Sequence, residues 1–276
     1  MRVMLVFIVI FLWSLQALPG PSSASADATA VVVDVTDGNT IRLDRPIMGS
    51  HVLRLAGIEA PRTGQDPRDE SWPLAEDARQ ALAELSLGSL VQLSFEGLPL
   101  DRYRRLIAHV HLENGHHENA RDVNGSWLQG EMLARGMARV RSLADNRSRV
   151  AEMLATESDA RAHERGIWAH PFYRIRTTDE TKADIGSFQI VEGIVLDRAR
   201  VRERIYLNFG PDWRTDFTVS IDTRLLPIFE KEGLDPMDLK GRAIRVRGWI
   251  ESRNGPLIEA THPEQIEVLF EGPPGS

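Results

Sequence analysis

Val31–Leu43 reads VVVDVTDGNTIRL, two runs of alternating β-branched residues around the polar turn Asp37-Gly38-Asn39. Period-two alternation broken by a glycine-containing turn marks a β-hairpin. The turn ends on an amide, Asn39, where a metal-binding turn is expected to place a carboxylate. Working outward, TAVVVDV (29–35), NTIRLD (39–44), HVLRLAGI (51–58), LVQLSF (90–95) and RLIAHVHL (105–112) repeat the strand period, divided by Gly, Asp and Pro. Helical spacing replaces it in WPLAEDARQALAELSLG (72–88), SWLQGEMLARGMARV (126–140) and SRVAEMLATESDARAHERGIWAH (148–170). Five strands with inserted and trailing helices predict a mainly β, α+β fold: a five-stranded Greek-key barrel of the oligonucleotide-binding (OB) type with three helices.

Residues 173–186, within YRIRTTDETKADIGS, are poor in apolar side chains and read as a linker. Beyond them FQIVEGIVLDRARV, RERIYLNFG and TDFTVSID, a short helix near RLLPIFEKEG, then RAIRVRGWIESRNG, PLIEA and EQIEVL repeat the order strands, helix, strands. That order predicts a second OB-like barrel over 187–270 after a first domain over 30–172, with 271–276 as a frayed tail.

The 276 residues suffice for two cores, and 42% hydrophobic content is that of a folded protein. The strongest apolar block is VMLVFIVIFLWSL after Arg2, followed by Pro19-Gly20-Pro21 and SSASADA. It reads as a secretory signal over 1–26, cleaved after Ala24-Ser25-Ala26, and so predicts a periplasmic or secreted protein. The alternative is an uncleaved anchor, the sole route to a membrane that this sequence offers. With no cysteine there is no disulfide, thiolate metal site or thiol nucleophile. A net charge of -7 argues against indiscriminate nucleic-acid binding, yet the 33 basic residues include only three lysines, and the arginines cluster. Arginine's planar fork grips phosphate in a bidentate way and stacks on bases.

Residues 30 to about 170 resemble the staphylococcal nuclease (thermonuclease) family. DGNTIRL is similar to its DGDT turn, RLAGIEAPR (54–62) to its R-L-x-x-[IV]-D-[TA]-P-E segment, and DRYRRLIAHV (101–110) to its D-x-Y-G-R-x-L-A-x-V strand. MLARGMARV and ARAHERGIWAH match its second and third helices. The resemblance implies phosphodiester cleavage of DNA and RNA with one Ca²⁺ held by two Asp and a backbone carbonyl. It also implies a Glu that activates water and two Arg that stabilise the charge developing on phosphorus. The two Arg fall on Arg54 and Arg105, while the second Asp of the turn is Asn39, the other metal Asp is Glu59, and the general-base Glu is Arg62. With Asp37 common to both, the family's set of charges sums to -1 and this chain's to +2. A cation ~5 Å from a new positive charge meets roughly 3 kcal/mol of repulsion per unit of its own charge at an effective dielectric near 20. An arginine-lined anion site is therefore expected, with no cofactor, and Ca²⁺ only if the site remains active.

Asn39 can still ligate through its carbonyl, and GQDPRDESW puts Asp66, Asp69 and Glu70 on the adjacent loop as replacement acids. AHVHLENGHHENA sets His109 and His111 on one strand face with His116 and His117 beyond, either a metal-binding cluster or ordinary core and surface histidines. In DRARVRERIYLNFG, Arg198, Arg200, Arg202 and Arg204 alternate and predict one basic face beside Tyr206, with Phe209, Trp213 and Trp249 nearby. Such a stripe suits single-stranded DNA or RNA, with Tyr103 of the first barrel as a further nucleic-acid position; the alternative is solvated arginines over an aromatic core. Three functions remain open at this point: a nucleic-acid-binding pseudonuclease, a working phosphodiesterase that uses Glu59, Asn39 and a loop acid, and an envelope protein-interaction module.

Overall fold

A computed structural model describes residues 28–64, 71–113 and 125–269. The signal segment, the loop acids Asp66, Asp69 and Glu70, His116 and His117, and the tail lie outside the described residues.

The opening hairpin is β1 (Ala28–Asp37) and β2 (Thr40–Ile47), followed by β3 (Ser50–Leu55), β4 (Ile58–Glu59) and helix α1 (Ala75–Ser86). Then come β5 (Leu90–Ser94), β6 (Leu106–Leu112), α2 (Leu128–Ala134), β7 (Arg139–Val140) and α3 (Val150–Ala162). Strands β1-β2-β3-β6-β5 close into a barrel, with β3 and β6 parallel and the other neighbours antiparallel. Alternation puts Val32, Leu43, Leu53, Leu55, Val91 and Leu93 into one core that α1 and α2 cover with Leu82, Leu128 and Met132. The helical pattern of 126–140 is cut short: Gly136 has φ 68, and a Cβ there would lie 2.1 Å from the Arg165 carbonyl oxygen. The chain turns at that point and Arg139–Val140 pairs with β4 instead of continuing the helix.

Residues 173–186 are no bare linker. Tyr173 is buried and donates its hydroxyl to the Pro73 carbonyl. The short β8 (Arg176–Thr177) pairs with the next strand, and Thr178–Asp184 forms a 3₁₀ helix closed by a Thr177–Glu180 capping box. Its polar side chains satisfy one another, as in the 2.8 Å Arg176–Asp184 pair, so low apolar content here does not mean lack of structure.

The second sheet contains β9 (Phe188–Ile194), β10 (Asp197–Val201), β11 (Arg204–Asn208) and β12 (Thr218–Asp222). Helix α4 (Leu226–Lys231), β13 (Ala243–Ser252), β14 (Pro256–Glu259) and β15 (Ile266–Val268) complete it. Its order is β10-β11-β12-β14-β13-β9-β8, with β15 also on β13. Strands β9 and β10, near the two ends of that path, are halves of one chain segment joined by Val195-Leu196, which bonds to Arg242 on one side and Asn208 on the other. The bent segment thus wraps the sheet around its core, and the parallel β12–β14 pair repeats the β3–β6 pair of the first barrel.

Charged side chains join the halves. Arg247, 1% exposed on β13, donates to the Val140 carbonyl (3.1 Å) and to both oxygens of Glu157 on α3 (3.1 and 2.9 Å). Arg139 reaches Gln189 (3.3 Å) and the Phe188 carbonyl (3.1 Å), and Arg147 grips Glu264. His262 lies buried with Nε2 2.7 Å from Ser142 Oγ.

Burial pushes the His262 imidazole down from 6.5 to about 4. Between those pH values the unfolded chain takes up a proton that the folded chain refuses, so stability is full above about 6.5 and declines as pH falls towards 4. The shift at buried His109 has the same sign. His262→Gln is expected to flatten the fall of Tm with acidification in that window; an unchanged slope would remove His262 as a cause.

Candidate nucleic-acid interface

The Asp37-Gly38-Asn39 turn is fixed by its own polar groups: Asp37 Oδ1 accepts from the Asn39 N–H at 2.9 Å. Asn39 is buried; its Nδ2 donates to the Ile58 carbonyl (3.1 Å) and its Oδ1 accepts from Thr40 Oγ1 (3.3 Å). The amide therefore staples the hairpin turn to β4. Gly57, at φ 77, makes the bend from β3 into β4, and its carbonyl accepts from the Arg141 N–H at 2.8 Å. A Cβ there would meet Met153 Cε at 2.6 Å.

This bend carries Glu59 inside, 2% exposed, beneath three guanidiniums. Arg54 at the end of β3 bonds to Glu59 Oε2, Arg141 reaches the same oxygen at 3.3 Å, and Arg62 Nε lies 3.3 Å from Oε1. One carboxylate under three arginines leaves a local charge of +2. Burial pushes the Arg141 guanidinium down, and Glu59 pulls it back. Arg139, opposite Glu59 in the β4–β7 pair, is pushed by burial down to about 10, which leaves it charged at neutral pH.

Arg62 stands between two indoles, its Cζ 4.6 Å from the Trp72 ring centre and 5.2 Å from that of Trp249 on β13. Its side chain is 45% exposed, so the position expected to carry a general base carries an accessible cation. Arg105 is held apart by Asp101, with Nε 2.8 Å from Oδ2, and stands beside the exposed ring of Tyr103. The arginine that completes the cluster is Arg141, which the sequence reading missed, as it did the roles of Trp72 and Trp249. Only the pairing of a two-residue strand, β4 with β7, brings Arg141 there.

The expected arginine stripe does not form one face. In the β10–β11 hairpin Arg198 faces Leu207 and Arg200 faces Ile205, so these two lie on the side of buried Ile205 and Leu207. Arg202 sits in the turn at φ 55, and Arg204 emerges on the other side with Tyr206, engaged by Glu259 at 3.0 Å. The turn reverses the chain at 202–203, so period two does not carry across it. His109 and His111 are set against protein groups. His109 Nδ1 accepts from Trp127 Nε1 (3.3 Å) and Nε2 lies 2.8 Å from Asn146 Oδ1, while His111 Nε2 lies 2.7 Å from Arg149.

The donor set around Glu59 does not fit Ca²⁺, which takes six to eight oxygens. Both Glu59 oxygens face guanidiniums and Asn39 Oδ1 faces Thr40, and the described residues contain no cluster of three or more His, Asp or Glu that could hold a metal.

A closed five-stranded barrel with helices packed on it is the architecture of an OB-type barrel. Residues 52–170 match the family described as staphylococcal nuclease homologue, and the chain carries a staphylococcal nuclease-like domain. Strands β1 and β2 precede that match yet close the same barrel. Endonuclease YhcR of Bacillus subtilis (strain 168) is 26% identical over 163 residues, which is 56% of this chain and 12% of that protein. The chain thus spans a small part of that relative's length.

Proposed function

We propose that this protein binds nucleic acid through the phosphate backbone at the Arg54–Arg62–Arg141 cluster and has lost Ca²⁺-dependent cleavage there. The observation that carries the reading is the buried Glu59 carboxylate held under three guanidiniums, where the family places an acidic cage and a general base. Net positive charge at a partly exposed site attracts phosphate and repels a divalent cation. The nuclease-like domain supplies the class of ligand. A second reading, retained cleavage by a rearranged site, draws on the relative's being an endonuclease.

Both are tested by titrating short single-stranded DNA and RNA with Ca²⁺ and with chelator, following anisotropy and strand length together. The expected result is equal binding in both buffers, intact oligonucleotide, and affinity that falls with salt. Arg62→Ala should reduce the slope of log K against log salt by about 0.7, the loss of one single-strand phosphate contact. Cleavage that requires Ca²⁺ and disappears in Glu59→Gln would establish the second reading.

A further inference from the structure

Between the two barrels lies a cleft of about 340 Å³ walled by Arg141, Phe188, Trp249, Glu251, Glu259 and Gln265 among others. It adjoins the arginine cluster because Arg141 belongs to both and Trp249 of the cleft wall packs against the cluster. Arg141 reaches Glu59 at 3.3 Å, and the Trp249 ring centre is 5.2 Å from Arg62 Cζ and 5.9 Å from Arg141 Cζ. Building on the phosphate reading of that cluster, we propose that the cleft is a base-binding subsite for single-stranded nucleic acid: one nucleotide places its phosphate on Arg62 and Arg141 and its base inside, against Trp249.

Charge sets the orientation. Glu251 and Glu259 face the cleft, and of these Glu259 is paired with Arg204 at 3.0 Å while Glu251 is exposed. Glu251 and Glu259 in the wall repel a phosphate, while Arg62 and Arg141 beside Trp249 attract one. Arg247 also lines the cleft, but its charge is taken up by Glu157 and Glu267, so the rest of the cleft is left to a neutral group that can donate hydrogen bonds, as the amino groups of nucleobases do. The volume falls at the lower end of small-ligand pockets, a nucleoside rather than a duplex end. Stacking on an indole beside arginines requires an unpaired base, which selects single strands. Trp249 comes from the second barrel and Arg62 from the first, so the bound strand crosses the junction that the buried Arg247–Glu157 pair holds together. The contribution of the second barrel to nucleic-acid binding thus comes through β13 at the interdomain cleft.

The test compares a hexanucleotide with an abasic hexamer that carries the same phosphates. The protein is expected to prefer the base-bearing strand by about tenfold or more, since one stacked base contributes roughly 1–3 kcal/mol and 1.4 kcal/mol is tenfold. In Trp249→Leu that ratio should fall to about one, whereas Trp249→Phe, which retains a stacking face, should keep most of it. A 2-aminopurine hexamer bound to the unaltered protein should lose fluorescence through stacking, a readout independent of whether any variant folds. Equal affinity for both hexamers with undiminished 2-aminopurine emission would overturn the base subsite and leave the phosphate site standing. Failure to bind either strand would remove both.

Discussion

Arg247→Leu is expected to lower stability by about 3–5 kcal/mol, the cost of leaving a buried charge without its partner. Arg247 is 1% exposed, and Glu157 beneath it is fully buried. Burial works against the Arg247 charge, but Glu157 and Glu267 more than offset it and hold the guanidinium above its ordinary pKa. Without Arg247, Glu157 keeps the Val140 N–H at 2.7 Å and Arg161 at 3.5 Å, too little for a carboxylate out of water. The Val140 carbonyl also loses a donor. Tm should fall by on the order of 10 °C. The pair joins α3 of the first barrel to β13 of the second, so calorimetry should also show the single transition separating into two. Arg79→Ala, which removes the exposed pair with Glu76 on α1, should change Tm by no more than about 1 °C. The double change Arg247→Met with Glu157→Gln keeps an acceptor for the Val140 N–H and removes the uncompensated charge, and it should recover a good part of the loss. A single-site Arg247 variant within 2 °C or so of the parent would show that the interdomain pair is not what stabilises the junction.

The largest functional gain is expected from Asn39→Asp, Glu59→Asp and Arg62→Glu together. The cluster of residues 54, 59, 62 and 141 now sums to +2, and with position 39 included the triple change takes it to -1. Ca²⁺ affinity follows the charge of its oxygen ligands, so the variant should acquire Ca²⁺ binding with a dissociation constant on the order of 10⁻³ M or tighter, whereas the parent is expected to give no calorimetric signal. Cleavage should follow only if the barrel holds the new Glu within reach of a bound phosphodiester. Arg141 adds a condition. In the parent it lies 3.3 Å from Glu59 Oε2, and its charge ~5 Å from the ion costs about 3 kcal/mol per ionic charge. Adding Arg141→Gln to the triple variant should therefore strengthen Ca²⁺ binding by at least tenfold. A triple variant that binds no Ca²⁺, with or without Arg141, would refute the charge explanation of the site.

The sequence by itself determined the two barrels, because alternation and turn residues act within a few positions of one another. VVVDVTDGNTIRL folds as the hairpin its pattern predicts, and the helix over 72–88 appears as α1 at Ala75–Ser86. It also singled out Asn39, Arg54, Glu59 and Arg62, since these sit in two short motifs, and the fold sets the Asn39 turn against the bend of β3 into β4 that carries the other three. Tertiary structure decided the rest. Whether Arg105 or Arg141 stands over Glu59 depends on the β4–β7 pair, formed across some eighty residues of chain, which no local period encodes. The arginines of 198–204 were assigned to one face by a period that the turn at Arg202 resets. Residues 173–186 lack the apolar residues of a core segment and fold all the same, because their capping box and ion pairs satisfy one another and the buried Tyr173 hydroxyl finds the Pro73 carbonyl a hundred residues away. The junction of Arg247 with Glu157 and of Trp249 with Arg62 follows the same rule: a charged or aromatic residue shows its chemistry in the sequence, but its partner is set only when distant strands are packed.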